Sequence, residues 1–395
     1  MLKDCRNISG ESLFLLGYMI YLGRAVWTST MFPFPGRIST LCLLSAMVLI
    51  TLKIVFFDRY SVTLLFGIIA LVLCAGGVLA LGHYMNAVFW LLVVMGSKDV
   101  DFGKMLKSYL LVAGTIVFLA FWSSIIGIIE NLRYHGGRGV RNSFGIIYTT
   151  DFAAYIFFLL LIYFYLKGPA LRVYHYLGAA VLSGVVYYFC RARVDSICIL
   201  MVAVVFGIHG FLEHTKYALP RVRRGWRWIW RTFGLFSIPF WAAMSVAVTY
   251  YFKEENALLV WLDKWFSNRL TLGKQGLDEF GFTLFGQTIE MNGNGGSTEW
   301  PENYFFIDCS YVHVLLRFGI VFLLILVSAY VVCCWRNRCD IYFLFAIALV
   351  AINCVIAHHI LEVAYNPFAY ALLTVPLGRA AADSLLWKDI GGRNG

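Results

Sequence analysis

The stretch FGIVFLLILVSAYVVCCW at Phe318–Trp335 runs for 18 residues without a charged side chain, between Arg317 and Arg336. An apolar helix of roughly 20 residues is long enough to cross the hydrocarbon core of a bilayer. Comparable runs recur along the whole chain of 395 residues, which is 61% hydrophobic and 14% charged with a mean hydropathy of +0.75. This composition excludes a water-soluble globular fold and predicts an all-α polytopic membrane protein.

Apolar runs bounded by charged residues, Gly and Pro predict about 12 transmembrane helices. The expected spans are 12–32, 38–57, 61–81, 84–97, 106–129, 148–167, 170–190, 194–213, 230–252, 308–335, 340–362 and 366–382. They divide the chain into a nine-helix membrane bundle at 1–252, a long extracytoplasmic loop at 253–307, and a second membrane part with a cytoplasmic tail at 308–395. The chain shows no internal repeat, which argues against the duplicated halves of major facilitator transporters.

The distribution of charge predicts the orientation of these helices. Glu213–Arg231 carries six basic residues and one acidic residue, and short loops rich in Lys and Arg stay in the cytoplasm. Twelve spans then place both termini in the cytoplasm. The net charge of +10 has the same explanation, so we expect no nucleic-acid partner. The segment Lys253–Asp308, with four basic and nine acidic residues, is expected outside.

The long loop has its own local patterns. Asn256–Phe266 has the spacing of an amphipathic helix lying in the membrane interface, with Trp261 and Trp265 on one face. Leu277–Phe285 predicts a second short helix, with Asn268-Arg269-Leu270 between the two. The MNGNGG sequence at Met291–Gly296 predicts an irregular turn.

Polar residues near the predicted outer ends of the helices are the candidates for chemistry, because such residues are costly in a bilayer. The topology places six of them at one face although they are distant in sequence: Arg141, Arg193, Arg269, Asp308, His359 and Glu362. Arg191 and Asp195 are spaced to pair across one turn, which leaves Arg193 free. His358 or His359 lies within one turn of Glu362, so a proton acceptor can be held there. Tyr311 and Arg317 follow Asp308 into the membrane.

The connection Glu130–Asn142 carries three arginines, Arg133, Arg138 and Arg141, on the predicted outer side. Because excess arginine normally stays in the cytoplasm, this loop predicts a bound anion such as phosphate. The alternative is that the helix count before this point is off by one.

Structural explanations stay open for the other candidates. Arg191 and Arg193 can snorkel to lipid headgroups, and the His pair can serve packing or a proton relay. Most of the ten cysteines lie in or beside apolar runs, and no C-x-x-C occurs. The sequence therefore predicts no metal site, no cofactor and no disulfide framework.

Short motifs follow this topology over most of the chain: Gly96-Ser97-Lys98, Gly127–Ile129, Arg141–Gly145, Arg193, Asn268–Leu270, Leu284–Gln287, Asp308–Tyr311, Phe318–Ile320, Glu362 and Asn366. Their order resembles the Wzy-type polysaccharide polymerases of bacterial surface-polymer pathways, in the superfamily that contains the O-antigen ligases. One stretch departs from the family pattern, because Tyr148–Asp151 stands where Pro-Asn is common.

The resemblance implies a glycosyltransferase of the bacterial cytoplasmic membrane. Such an enzyme transfers a growing glycan from undecaprenyl diphosphate to another lipid-linked repeat unit at the outer face. The implied partners are undecaprenyl-diphosphate-linked oligosaccharides, the lipid bilayer, and flippase and chain-length regulator proteins. A single displacement at the anomeric carbon, without an enzyme nucleophile, predicts inversion of configuration. No metal is expected, because arginines can stabilise the departing pyrophosphate.

On this hypothesis each candidate residue receives a role. Arg141 and Arg193 hold the pyrophosphate, Asp195 orients Arg193, and Arg269 closes over the second carrier or the glycan. Glu362 or His359 is the general base, with Asp308 as the fallback. The remaining candidates for catalysis and substrate binding are His358, Arg138, Arg191, Tyr311 and Arg317.

Two alternatives share these features. A ligase that moves finished glycan to another acceptor would use the same residue types. A transporter or flippase would need a polar pathway to the cytoplasmic side, for which Arg24 and Lys53 are the candidate residues.

Overall fold

The computed structural model describes residues 9–135, 139–215, 219–299 and 301–377. These residues are mostly helical, and seven of their helices are long and apolar enough to cross a membrane. Three further apolar helices are shorter than a full crossing. The prediction of an all-α membrane protein is confirmed at this level.

The described residues form 13 α-helices, one two-stranded hairpin and two 3₁₀ helices. The α-helices are α1 Gly10–Trp27, α2 Gly36–Phe57, α3 Val62–Gly82, α4 Met85–Gly96, α5 Phe102–Ile125, α6 Thr149–Lys167, α7 Val173–Cys190, α8 Arg193–His214, α9 Pro220–Tyr250, α10 Ala257–Trp265, α11 Arg269–Phe280, α12 Ser310–Arg336 and α13 Ile341–Asn353. The hairpin pairs β1 Arg133–Tyr134 with β2 Arg141–Asn142, and the 3₁₀ helices are Gly168–Ala170 and Pro367–Leu373.

Contacts between helix ends define two faces of the bundle. At one face the start of α1 meets the start of α5 through Glu11 and Lys104, and Lys53 near the end of α2 donates to the Lys98 carbonyl after α4. Val375 pairs with Asp101 at this same face. We call it the opposite face, and the end that holds the cavity described below is the cavity face. Helix α13 lies between them, with most of its side chains fully buried.

The predicted helix 340–362 is wrong in its second half, because α13 ends at Asn353. Ser310 at the start of α12 bonds to the backbone beyond this point: its amide donates to the Cys354 carbonyl at 2.9 Å and its hydroxyl to the Ala357 carbonyl at 2.5 Å. Residues 354–366 therefore form an irregular stretch, which we call the turn segment. Irregular backbone occurs at membrane depth only where it is buried in protein or lines a water-filled cavity.

Side chains donate hydrogen bonds to backbone carbonyls of the turn segment. The Asn366 amide and the Tyr330 hydroxyl both donate to the Ile360 carbonyl, and the Tyr109 hydroxyl donates to the Ala364 carbonyl at 2.7 Å. The predicted last helix 366–382 is also corrected: the 3₁₀ helix Pro367–Leu373 stands there, and residues 378–382 lie outside the described residues.

Helix α9 begins at Pro220, ten residues before the predicted start. Pro suits the first helical position, where its missing N–H has no partner to lose. Five of the six basic residues of the predicted loop 213–231 thus lie on α9, where Arg227 pairs with Glu213 at the end of α8, and Lys216 lies outside the described residues. Its 31 residues span about 46 Å, so α9 extends beyond a hydrocarbon core of about 30 Å.

Helix α12 is interrupted at Gly319, whose φ of 90° is outside the helical region. Backbone of the long loop fills the break: the Ile320 amide donates to the Thr283 carbonyl at 2.9 Å and the Val321 amide to the Leu284 carbonyl at 3.1 Å. A Cβ on Gly286 would lie 2.2 Å from the Arg317 carbonyl oxygen, so this approach requires glycine.

The loop helices differ in part from the prediction. The structure has α10 where the amphipathic pattern predicted a helix. The second helix is not at 277–285 but is α11, which starts at Arg269. Asp263 explains this start, because its carboxylate accepts from the Leu270 amide at 2.7 Å and from the Thr271 amide at 3.3 Å, as an N-terminal cap does.

Candidate functional site

A cavity of about 680 Å³ opens at the cavity face. It is enclosed by the hairpin, the start of α6, the α7–α8 junction, the α10–α11 elbow, the end of the long loop and the turn segment. Its wall consists of Tyr134, Arg141, Tyr148, Thr149, Thr150, Asp151, Arg191, Ala192, Arg193, Val194, Asp195, Lys264, Trp265, Ser267, Asn268, Arg269, Thr271, Leu272, Gly293, Asn294, Tyr304, Phe306, Asp308 and His358. Seven of the twelve predicted site residues are among these.

Five basic and three acidic side chains line the cavity. Of the five basic side chains, only Arg269 forms an ion pair with a described residue: its Nε donates to Asp308 Oδ2 at 3.0 Å. Burial disfavours its charged form, but the carboxylates of Asp308 and Asp195 outweigh burial and raise the pKa of Arg269. No described carboxylate lies within 4.0 Å of the other four cations, which are Arg141, Arg191, Arg193 and Lys264.

The hairpin places Arg141 in the wall. Its cross-strand partner is Tyr134, and the guanidinium lies 5.8 Å from the centre of that ring, within the range of a cation–π contact. Burial lowers the pKa of Arg141. Arg138, predicted beside it, lies outside the described residues.

The α7–α8 junction carries Arg191 and Arg193, but the predicted Arg191–Asp195 pair does not form. Arg191 caps α7 in the left-handed region with φ 52°, and α8 begins only at Arg193, so 191 and 195 do not share a helix. Arg191 lies 5.5 Å from the Tyr188 ring centre. Asp195 instead accepts from the Asn353 amide at 3.1 Å, so it does not orient Arg193 by a direct ion pair.

The turn segment supplies a histidine to the cavity wall, with a carboxylate beside it, Glu362, that is not itself among the wall residues. His358 lines the cavity, and its Nε2 lies 3.4 Å from Glu362 Oε1. The predicted proximity therefore exists, although the segment is not helical. His359 is not in the wall; it is 3% exposed and stacks on Tyr365 at 3.8 Å between ring centres.

Two further predicted residues lie away from the cavity. The Tyr311 hydroxyl donates to the Ala351 carbonyl at 2.9 Å inside the bundle. Arg317 lies over the Tyr84 ring at 3.9 Å, and its Nη1 lies 3.1 Å from His313 Nε2. Both point from α12 toward neighbouring protein elements, because α12 enters the bundle immediately after Asp308.

Several wall residues have no role predicted from the sequence. Asp151 lies in the first turn of α6, a largely apolar helix. An ionisable residue is costly in a membrane helix, so its presence there could have marked Asp151 as a candidate. Tyr134, Tyr148 and Tyr304 form an aromatic part of the wall. Burial raises the pKa of Tyr134 to about 12 and also raises the pKa of Tyr304. The Tyr134 hydroxyl donates to the Ile147 carbonyl at 2.7 Å.

A search of family models, curated proteins and solved structures finds no significant match to this chain. The resemblance to the Wzy-type polymerases therefore stays a prediction. The cavity itself provides the chemistry from which a function is argued: unpaired cations that suit a polyanion, a histidine backed by a carboxylate, and aromatic rings.

Proposed function

We propose that this chain is a polysaccharide polymerase, a membrane glycosyltransferase that joins undecaprenyl-diphosphate-linked oligosaccharide repeat units. The observation that carries the proposal is the set of four cavity cations that no described carboxylate neutralises, beside His358 and Glu362. Charges left unpaired in a partly buried site are costly unless a ligand compensates them. A diphosphate supplies that compensation.

In the proposed reaction the acceptor hydroxyl attacks the anomeric carbon of the donor glycan. The new C–O bond forms as the bond from carbon to the diphosphate oxygen breaks, and the diphosphate leaves with the electron pair. Arg141, Arg191, Arg193 and Lys264 stabilise the developing charge without a metal. Displacement in a single step predicts inversion at the anomeric carbon.

The proton of the acceptor hydroxyl needs a base at the wall. His358 is best placed to take it, because it lines the cavity and Glu362 stabilises the imidazolium from 3.4 Å. His359 is less suited, since it is buried behind the wall. Asp308 is engaged with Arg269, and this pair holds α11 against the start of α12 at the cavity rim.

The proposal includes an orientation. The basic start of α9 lies in the cytoplasm together with both termini, and the loop 253–307 and the cavity face lie outside the bacterial cytoplasmic membrane. Helix α13 and the 3₁₀ helix Pro367–Leu373 would enter from the cytoplasmic side and return to it in place of the last two of 12 crossings. Flippase and chain-length regulator proteins are the proposed partners at this membrane.

A transporter is less well supported because the candidate polar pathway is occupied by local contacts. Arg24 donates to the Ser39 carbonyl and hydroxyl, each at 3.0 Å. Lys53 pairs with Asp58, and both side chains are 4% exposed. Between the two faces, α13 presents fully buried apolar side chains.

The test is a mixing assay with the purified full chain in liposomes and synthetic undecaprenyl-diphosphate oligosaccharides. We expect a ladder of lipid-linked products, released undecaprenyl diphosphate and an inverted linkage. Product of retained configuration would refute the single displacement. Release of carrier only with a different acceptor would indicate a ligase, and movement of intact lipid-linked sugar would indicate a flippase.

A further inference from the structure

Three side chains of the turn segment bring possible metal ligands together, one in the cavity wall and two behind it. A ring nitrogen of His358, a ring nitrogen of His359 and a carboxylate oxygen of Glu362 all lie within 4.8 Å of one another. His358 Nε2 and Glu362 Oε1 are 3.4 Å apart. Ligand atoms around a tetrahedral zinc ion are separated by about 3.3 Å, given bonds of about 2.0 Å. The pair already has this spacing, and the third ligand atom lies within 4.8 Å of both.

His359 provides a second, independent observation. It is 3% exposed, and its Nδ1 has no hydrogen-bond partner among the described residues. Its ring is held flat against Tyr365, so the orphan nitrogen is not a consequence of free rotation in solvent. Buried polar groups are nearly always hydrogen bonded, and an exception calls for a specific explanation. A metal ion bound by this ring would provide one, because a ring nitrogen of His359 is among the three clustered ligand atoms.

The surroundings of the three ligands are rigid. The Ile360 amide donates to the Ser310 hydroxyl at 3.2 Å, and the Ile360 carbonyl accepts from Asn366 at 3.1 Å. Leu361 is held as well, since its carbonyl accepts from the Tyr370 hydroxyl. The backbone that carries the ligands is therefore fixed before any ion binds, which favours metal affinity.

We propose that His358, His359 and Glu362 bind one divalent transition-metal ion of the zinc type, with an open coordination position toward the cavity. Two imidazoles and one carboxylate suit zinc, cobalt(II) or iron(II), whereas magnesium and calcium prefer oxygen ligands alone. The open position follows from His358, the one member of the triad that lines the cavity. Arg269 is near enough to His359 for its positive charge to oppose a cation there.

The site has a consequence for the proposed reaction, and this step alone rests on the proposed function. A bound ion occupies the lone pairs of His358 and Glu362 that would take the acceptor proton. Zinc is therefore an inhibitor of glycan transfer rather than its cofactor. The ion competes with the proton for the same two side chains.

The direct test is metal binding by the full chain in detergent after treatment with a chelator. We expect one Co²⁺ per chain with the absorption of a tetrahedral site, displaced by Zn²⁺. His359→Gln and Glu362→Gln should each weaken Co²⁺ binding on the order of 100-fold, and His359→Cys should keep Zn²⁺ binding because it keeps a ligand. His83→Gln, at an exposed histidine, is the matched control and should bind as the unaltered chain does.

Folding of each variant is checked by its thermal unfolding midpoint without metal. Zn²⁺ should raise that midpoint in the unaltered chain and not in His359→Gln. Equal Co²⁺ affinity in His359→Gln, Glu362→Gln and the unaltered chain would overturn the site.

Activity separates this inference from the proposed function. Inhibition of transfer by Zn²⁺, reversed by chelator, is expected. Metal binding without transfer from any donor would support the site and refute the polymerase, whereas transfer without metal binding would do the reverse. Stimulation of transfer by Zn²⁺ would overturn the competition between the ion and the proton.

Discussion

The two faces of the bundle use charged residues in different ways. At the opposite face, buried Lys53 is paired with Asp58 and Arg227 binds Glu213 through two nitrogens. At the cavity face, four cations have no described carboxylate within 4.0 Å. The difference separates charges that hold helices together from charges left available to a ligand.

Two His–Glu pairs with the same spacing sharpen this contrast. His209 and Glu213 lie on continuous helix α8, 4.0 Å apart, and Glu213 is already held by Arg227. His358 and Glu362 lie on irregular backbone, 3.4 Å apart, and no described Lys or Arg lies within 4.0 Å of Glu362. At the same sequence spacing, the glutamate of α8 is already bound by an arginine, whereas the glutamate of the turn segment has no such partner among the described residues.

The largest effect is expected from breaking the buried pair at the opposite face. Lys53→Met would leave the Asp58 carboxylate buried without its cation, which costs about 3–5 kcal/mol of stability. The measurement is thermal unfolding of the purified chain in detergent. The double variant Lys53→Met/Asp58→Asn should recover most of the loss, and an unchanged midpoint for the single variant would show that this pair does not stabilise the bundle.

The next effect tests the cavity face. Arg193→Gln should lower the rate of glycan transfer about 100- to 1,000-fold, the usual cost of removing one group that stabilises a developing negative charge. Arg193→Lys keeps the charge but loses the planar fork, so its rate of transfer should lie between the rates of the unaltered chain and of Arg193→Gln. Because Arg193 pairs with no described acid, the unfolding midpoint should change little. A large drop in the unfolding midpoint of Arg193→Gln with a normal rate of transfer would show that Arg193 stabilises the fold and not the leaving group.

The smallest effect is expected at the surface pair of the opposite face. Arg227→Gln removes an ion pair whose side chains are 42% and 23% exposed, and exposed pairs contribute about 0.2–1 kcal/mol. Transfer should be unaffected. Comparing Arg227→Gln with Arg193→Gln in one preparation sets matched substitutions at the two faces side by side, and equal losses of transfer would remove the distinction between them.

The sequence was most informative where a single helix decides the outcome. Apolar length predicts helices that can span a membrane, and the amphipathic spacing with Trp261 and Trp265 four residues apart on one face predicts α10. The helix ends were predicted wrongly where a residue of another element forms a hydrogen bond with the backbone. Ser310 bonds to the Cys354 carbonyl at the end of α13, and Asp263 accepts from the Leu270 amide at the start of α11. Neither hydrogen bond leaves a local signal, because each partner lies in another element.

The candidate site was predictable for a related reason. Topology alone placed the ends of distant helices at one face, which brought Arg141, Arg193, Arg269 and Asp308 to a common cavity. The direction of individual side chains was not predictable. Arg317 and Tyr311 point into the bundle, and Asp195 bonds to Asn353 rather than to an arginine.

The interruption of α12 at Gly319 has a consequence for biogenesis. The amides of Ile320 and Val321 find their acceptors in the loop backbone at Thr283 and Leu284, and unpaired amides are costly inside a bilayer. The loop leaves the ribosome before α12 does, yet neither is complete alone. Insertion of α12 and docking of the loop at Thr283 and Leu284 are therefore expected to be coupled steps of assembly.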